Sequence, residues 1–389
     1  MFNKTVSGTL LIAGTTIGAG MLGIPLLTAK AGFIPGVGIT VLVWLFMLAT
    51  GLLFLEATLW MHEGANVLSM SRRFLGRSGK AAAGATFLFL YYCLMVAYYA
   101  GGAPIFSAFL GISGIWGMVA YGLLFGAIVA VGLKFVDRIN YLLMAAMFLG
   151  YFALIGTGAS EVSASRFKDG NFYEVIFAAP ILFSSFGFHN VIPSLVDYFH
   201  RDVRVLRKSI FYGTTISLVI YLIWQWLIIG AVPLSAIEDA LSQGKPATAA
   251  LQTLTGNPWV MTFGQFFAFF ALVTSMLGVA FSMVDFLGDG LKIDRKGKHR
   301  ILLCIVIFLP PFILTAIDPN IFVTALGFAG GFGEAFLNGL IPVSLVWVGR
   351  YIRKLGGREL VPGGKIMLGL LFALAMAVAA FEIVFVISS

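Results

Sequence analysis

The chain has 389 residues, 60% hydrophobic and 14% aromatic, with 25 Lys and Arg against 17 Asp and Glu. Soluble domains carry about 25% charged residues, so 11% over this length excludes a water-facing globule, and the mean hydropathy of +0.98 points to a polytopic membrane protein. The net charge of +8 would suit a nucleic-acid partner, but the placement of those charges, described below, removes that reading.

A hydrocarbon core of about 30 Å needs about 20 apolar residues per helix. On that basis an all-α fold with eleven spans is predicted, at residues 5–29, 33–61, 81–109, 116–133, 139–159, 174–199, 209–232, 259–287, 300–317, 321–347 and 366–388. No connection is long enough to fold alone, so residues 1–389 are expected to form a single membrane domain. The first apolar stretch reaches spanning length and carries an internal glycine cluster, which reads as a mature helix rather than a cleaved leader. Cys93 and Cys304 both lie inside apolar stretches and are expected to be small packing residues, with no disulfide framework.

With the amino terminus inside, the outer connections hold only Lys30, Arg166, Lys168 and Lys245. The other 21 of the 25 cations, Lys134, Arg138 and Arg295 among them, face the cytoplasm. This positive-inside bias explains the net charge, predicts a cytoplasmic amino terminus and a periplasmic carboxyl terminus, and supports the span count. The basic run at residues 201–208 is expected to anchor at anionic headgroups. The outer connection at 233–259 contains AIEDALSQ (residues 236–243), a candidate surface helix and outer lid.

Five spans per half place two halves in opposite orientations, as in inverted-repeat transporters. The expected division is 5–159, 174–347 and an extra helix at 366–388. The first span of each half is interrupted, by GTTIGAGMLGIP (residues 14–25) and by SSFGFHNVIP (residues 184–193). Paired interruptions mark a midplane binding site. A helix unwound in lipid exposes N–H and C=O groups that require a polar ligand. Amides at Gly18, Ala19 and Gly20, at the positive end of the following half-helix, suit a carboxylate. Carbonyls near Ala13 and Gly14, and near Phe183 and Ser184, suit an ammonium. A ligand with both groups is an amino acid. Two blander readings compete: Gly14 and Gly18 form a GxxxG packing motif, and GAGMLG (residues 18–23) has the letters of a dinucleotide fingerprint. The second fails, since no strand precedes it and Val43 stands where an acid is wanted.

Four runs then carry a resemblance: GTTIGAGMLGIP, FSSFGFHNVIPSLVDY (residues 183–198), TSMLGVAFSMVDFLGD (residues 274–289) and FLPPF (residues 308–312). Together, over nearly the whole chain, they resemble the bacterial aromatic amino acid permeases, and among them the tyrosine-specific branch. The resemblance implies a LeuT-type fold with a five-plus-five inverted repeat, residence in a bacterial inner membrane, and uptake of tyrosine, or also phenylalanine or tryptophan, by proton symport. It implies no cofactor. Tryptophan or broad aromatic specificity, and sodium coupling, stay open beside it.

The site expected from these readings comprises Gly14, Thr15, Thr16, Gly18, Ala19 and Gly20 at the first break, and Phe183, Ser184, Ser185, Phe186, Gly187, Phe188 and His189 at the second. Tyr98, with Tyr91, Tyr92 and Tyr99, marks the third span, which faces the site in such a fold. Ring pairs add about 0.5–1.5 kcal/mol each beyond area burial. A ligand hydroxyl would need His189, Asn190, Gln225 or Gln265. Ionisable groups inside a membrane are functional candidates by default. His189 either binds the ligand, carries a proton or satisfies freed backbone groups. Glu334, with Asn338 one turn on, is the other proton candidate. Glu56 is a third, although accepting freed amides suits it better. Asp285 and Glu382 lie nearer span ends, where snorkelling is expected. Thr274 and Ser275 stand where sodium-coupled relatives of the wider fold hold an ion. A sensor would attach a soluble domain and a channel would need a continuous polar lining, and neither is present in the sequence. No nucleophile with its base, metal cluster or phosphate loop suggests an enzyme.

Overall fold

The computed structural model describes residues 4–112, 114–254, 258–294 and 296–388. Arg295 lies outside them, as do the side chains of Lys134 and Arg138. The described residues form an all-helical membrane protein in which nine helices are long and apolar enough to cross a bilayer. The shorter apolar helix Ile115–Val131 and an interrupted segment at residues 4–31 accompany them.

That segment consists of α1 (Lys4–Thr16) and α2 (Ile24–Ala31), joined through extended Gly18 and a tight turn over Ala19–Leu22. Next come α3 (Phe33–Leu59), α4 (Val67–Leu110), α5 (Ile115–Val131) and α6 (Leu133–Gly158). The second interrupted segment is α7 (Ala179–Ser185) and α8 (Ile192–Tyr198). It is followed by α9 (Val203–Ala231), α10 (Leu234–Ser242), α11 (Ala247–Leu254), α12 (Pro258–Leu291) and α13 (Gly297–Ile317). The last long helices are α14 (Phe322–Phe328), continued by a widened stretch Ala329–Leu340 into α15 (Ile341–Trp347), and α16 (Gly364–Ser388).

Local sequence explains both restarts. α2 and α8 each begin Ile-Pro, Ile24-Pro25 and Ile192-Pro193, with the proline in the first turn, where its missing N–H leaves nothing unpaired. α4 starts fourteen residues before its predicted span, because Asn66 and Ser69 form a reciprocal cap at its amino end. It then bends at Gly76, whose φ of 79° needs glycine. The basic residues Arg72, Arg73, Arg77 and Lys80 flank this bend, at the interface end of the helix. The candidate outer helix is α10, which packs against α2.

A run of glycines seats the widened helix. A Cβ on Gly330 would collide with the Pro180 carbonyl of α7, one on Gly331 would lie 2.7 Å from Cβ of Glu382 on α16, and one on Gly333 2.8 Å from Cβ of Leu90 on α4. Three neighbours therefore press on one turn of backbone. Such i→i+5 widening recurs at functional sites.

Three charged residues depart from expectation. Glu56 meets no freed amide of either break: its carboxylate takes both arms of the Arg350 guanidinium at 2.7 Å each and the Leu360 N–H at 2.8 Å. The acid had found a cation 294 residues away, which no local pattern announces. Glu382 does not snorkel but is buried, filling the notch made by Gly327 and Gly331. Arg201 donates to the carbonyls of Thr58, Leu59 and Met61, closing the carboxyl end of α3 instead of reaching for headgroups.

Arg350 and Glu56 are 5% and 4% exposed, and losing Glu56 leaves the buried Arg350 with only the exposed Glu359, at 3.0 Å, and the Val361 carbonyl, and leaves the Leu360 N–H without its acceptor. Glu56→Ala is expected to destabilise the protein by about 3–5 kcal/mol, read as a lowered melting temperature in detergent, whereas the paired apolar change Glu56→Met with Arg350→Met costs less.

Candidate functional site

The two interruptions meet. A Cβ on Gly20 would lie 2.8 Å from Cα and 2.7 Å from Oγ of Ser185, so the first break touches the second backbone to backbone. α9 fastens this crossing. The Tyr221 hydroxyl lies 2.7 Å from the Thr16 carbonyl, at the end of α1, and 2.7 Å from the Ser185 carbonyl, at the end of α7. Its single hydrogen is shared between two carbonyls that the helix ladders no longer use. One turn along, Trp224 Nε1 donates to the Met21 carbonyl at 2.9 Å. Neither residue was singled out in the sequence, because YLIWQW (residues 221–226) reads as part of an ordinary apolar span.

On the other side of the first break, Ser275 Oγ of α12 accepts the Ala19 N–H at 3.3 Å and lies within hydrogen-bonding reach of the Tyr98 hydroxyl. A Cβ on Gly18 would collide with that serine oxygen. Thr274 is turned away, donating to the Phe270 carbonyl at 2.8 Å. The threonines and serines of the breaks also bond backwards: Thr15 to Leu11, Thr16 to Ile12, and Ser184 and Ser185 to Ile181. Their oxygens keep acceptor capacity but their hydrogens are committed.

The freed backbone groups can now be placed. Ala13 O is not among them, since Ile17 N–H bonds it at 2.8 Å. Among the described residues no partner is found for the N–H groups of Gly18, Gly20 and Gly187, nor for the carbonyls of Gly14 and Ser184. Donors and acceptors thus surround the Gly20–Ser185 crossing, and a ligand bearing both an anionic and a cationic group matches them.

The aromatic residues of the second break divide between two directions. Phe186 is fully buried and meets Tyr221 edge-on, with ring centroids 5.0 Å apart. Phe183 instead packs on Phe46 of α3 at 4.9 Å, and Phe188 presses on Gly51 of α3. Those two fill the α3 interface rather than the crossing. Gln225 is likewise committed, its amide donating to Thr40 Oγ1 at 3.1 Å.

His189 faces α3 too. Its Nε2 pairs with Thr50 Oγ1 at 3.0 Å, and its Nδ1 finds no partner among the described residues. It satisfies no freed backbone group, which removes one of its three expected roles. Glu334 lies at the second break: a Cβ on Gly187 would collide with its carboxylate, Asn338 donates to it, and Tyr91 and Tyr98 stand nearby. It is buried, and no cation among the described residues pairs with it. A lone carboxylate at this depth calls for a proton or an ammonium.

The sequence model of the tryptophan/tyrosine permease family matches residues 1–382. The chain belongs to that family. It is 32% identical over 358 residues to the tyrosine-specific transport system 1 of Haemophilus influenzae, covering 90% of this chain and 89% of that one. It is 33% identical over 346 residues to the tryptophan-specific transport protein of the same organism, covering 84% and 83%. It is 30% identical to the low affinity tryptophan permease of Escherichia coli over 342 residues, covering 83% and 82%.

For this permease the crossing sets two expectations. Tyr221→Phe leaves two buried carbonyls without their donor, at a cost of about 1–3 kcal/mol, measurable as a lowered melting temperature. Gly20→Ala pushes the two breaks apart, and uptake is expected to fall to the background of empty vesicles while the protein still elutes as a single folded species.

Proposed function

We propose that this permease imports aromatic L-amino acids, tyrosine foremost, in symport with a proton, by alternating access around the Gly20–Ser185 crossing. The observation that carries the reading is the shared Tyr221 hydroxyl, which ties two broken helices together where unpaired donors and acceptors face one another. The unpaired amides of Gly18 and Gly20 would take the carboxylate, and the carbonyls of Gly14 and Ser184 the ammonium. Phe186, Tyr98 and Tyr91 are the rings best placed for an aromatic side chain.

Nine long apolar helices, Ile115–Val131 and the interrupted segment at residues 4–31 support the eleven-span count. The matching Ile-Pro restarts of α2 and α8 support a LeuT-type inverted repeat. Positive-inside bias supports an inner-membrane orientation with the amino terminus cytoplasmic and the carboxyl terminus periplasmic. The relatives' names divide between tyrosine and tryptophan, so a tryptophan or broad aromatic specificity is the alternative.

Glu334 is the residue to which we assign the coupled proton. Protonation makes it neutral at depth, and the carboxylate touches the second break directly. Glu56 is unsuited, both of its carboxylate oxygens being taken by Arg350. Sodium coupling has less support. Ser275 oxygen already accepts an amide, and Thr274 hydroxyl is spent on its own helix.

Labelled tyrosine in proteoliposomes tests the whole reading. Accumulation is expected under an inward proton gradient without sodium, with tryptophan and phenylalanine competing. In Glu334→Gln, exchange of labelled for unlabelled tyrosine persists while the proton gradient no longer drives accumulation. Accumulation driven by sodium alone would overturn the proton assignment.

A further inference from the structure

A recess opens beside the far end of the second break. It is a cleft of about 240 Å³ between α3, α4 with the turn before it, and α8, at the end of the fold where the chain passes from α3 into α4. Two aromatic side chains, Phe54 and Phe87, line it opposite a polar row. That row is Asn190, Ser194 and Asp197, whose spacing of four and then three residues puts them on one face of the chain entering and forming α8.

The chemistry of the walls is specific. Both faces of the Phe87 ring are covered, by Phe286 at 4.1 Å and by Tyr91 at 4.1 Å, so it offers the cleft its edge. An aromatic edge carries partial positive charge and favours the face of an incoming ring. Asp197 Oδ2 accepts the Gly64 N–H at 2.9 Å. Its other oxygen has no partner, and no cation pairs with it, among the described residues. The Asn190 carboxamide lies within reach of the Tyr91 hydroxyl and follows His189 directly, so the cleft begins where the second break ends.

We infer that this cleft is a second binding site for the transported aromatic amino acid, on the cytoplasmic side of the crossing. The ring lodges between Phe54 and Phe87, and the ammonium sits on Asp197. This rests on the permease reading above. A ligand leaving the crossing passes Asn190 and pauses here, and a cytoplasmic molecule occupying the cleft blocks the next release. Net uptake therefore slows as internal tyrosine rises.

Equilibrium dialysis of labelled tyrosine against the purified full-length protein is expected to give two molecules per chain. Asp197→Asn keeps the acceptor for Gly64 and removes the charge, while Ser194→Phe fills the cleft from the opposite wall. Each is expected to bind one molecule per chain. In proteoliposomes each raises the internal tyrosine concentration that half-inhibits uptake by about tenfold, the scale of a lost charge-assisted hydrogen bond. One molecule per chain in the unaltered protein, or two in both variants, overturns the second site and leaves the permease reading standing. No aromatic amino acid bound by the unaltered protein overturns both.

Discussion

A backbone amide or carbonyl left unpaired in hydrocarbon costs several kcal/mol, and this constraint decides where the chain can open a helix. The fold breaks two, and places both breaks against each other so that one set of side chains serves both. Tyr221 is the economical solution, since a single hydroxyl covers the ends of α1 and α7. Trp224 and Ser275 take up Met21 O and Ala19 N–H. All three fasteners are neutral. A charged side chain in the same place would satisfy the backbone more strongly, but would add its own desolvation and would compete with the groups of a zwitterionic ligand. What remains unpaired around Gly20 and Ser185 is therefore a matched set of donors and acceptors.

The same constraint shapes the helix that carries Glu334. Glycines at 330, 331 and 333 let α7, α16 and α4 press on one turn, and the backbone there widens instead of separating from its neighbours. This brings a carboxylate against Gly187, where only hydrogen fits. The acid and the second break thus share a contact surface. A change of charge on that carboxylate changes the field at the crossing without any helix having to move first.

Some of this was legible in the sequence and some was not, for definite reasons. The breaks were visible because Gly18, Gly20, Gly187 and the two Ile-Pro pairs interrupt otherwise continuous apolar spans, and backbone chemistry follows from an interruption directly. Tyr221 and Trp224 were hidden because an aromatic residue facing a break and one facing lipid look identical in a stretch such as YLIWQW. Side-chain direction was the general failure. Phe183, Phe188 and Gln225 sit at the right positions along the chain yet turn toward α3, and Thr274 and Ser275, adjacent in sequence, face different ways. Glu56 could not be read at all, since its meaning depends on Arg350. The 330–333 glycine run carried a signal that was available: closely spaced glycines beside an intramembrane acid ask what backbone must come near.

The ends of the molecule differ in how firmly they are held, and this bears on which parts can move. At the start of α3 the turn before α7 meets the end of α2 through a partly exposed Lys30–Glu174 pair at 3.2 Å and the bond from Asn171 N–H to the Lys30 carbonyl. An exposed pair of that kind contributes about 0–1 kcal/mol. At the other end of α3 Arg350 and Glu56 are almost fully buried, and Arg201 holds three carbonyls. Separating a buried pair costs several times more than separating an exposed one. The Lys30–Glu174 end is therefore the one that parts more readily, while α3 and the helix of Glu334 are held together through Glu56 and Arg350. Between the two ends lie the short half-helices α1, α2, α7 and α8, which meet at the crossing and whose intervening backbone is held by tight turns and side chains rather than by a continuous α-helical ladder.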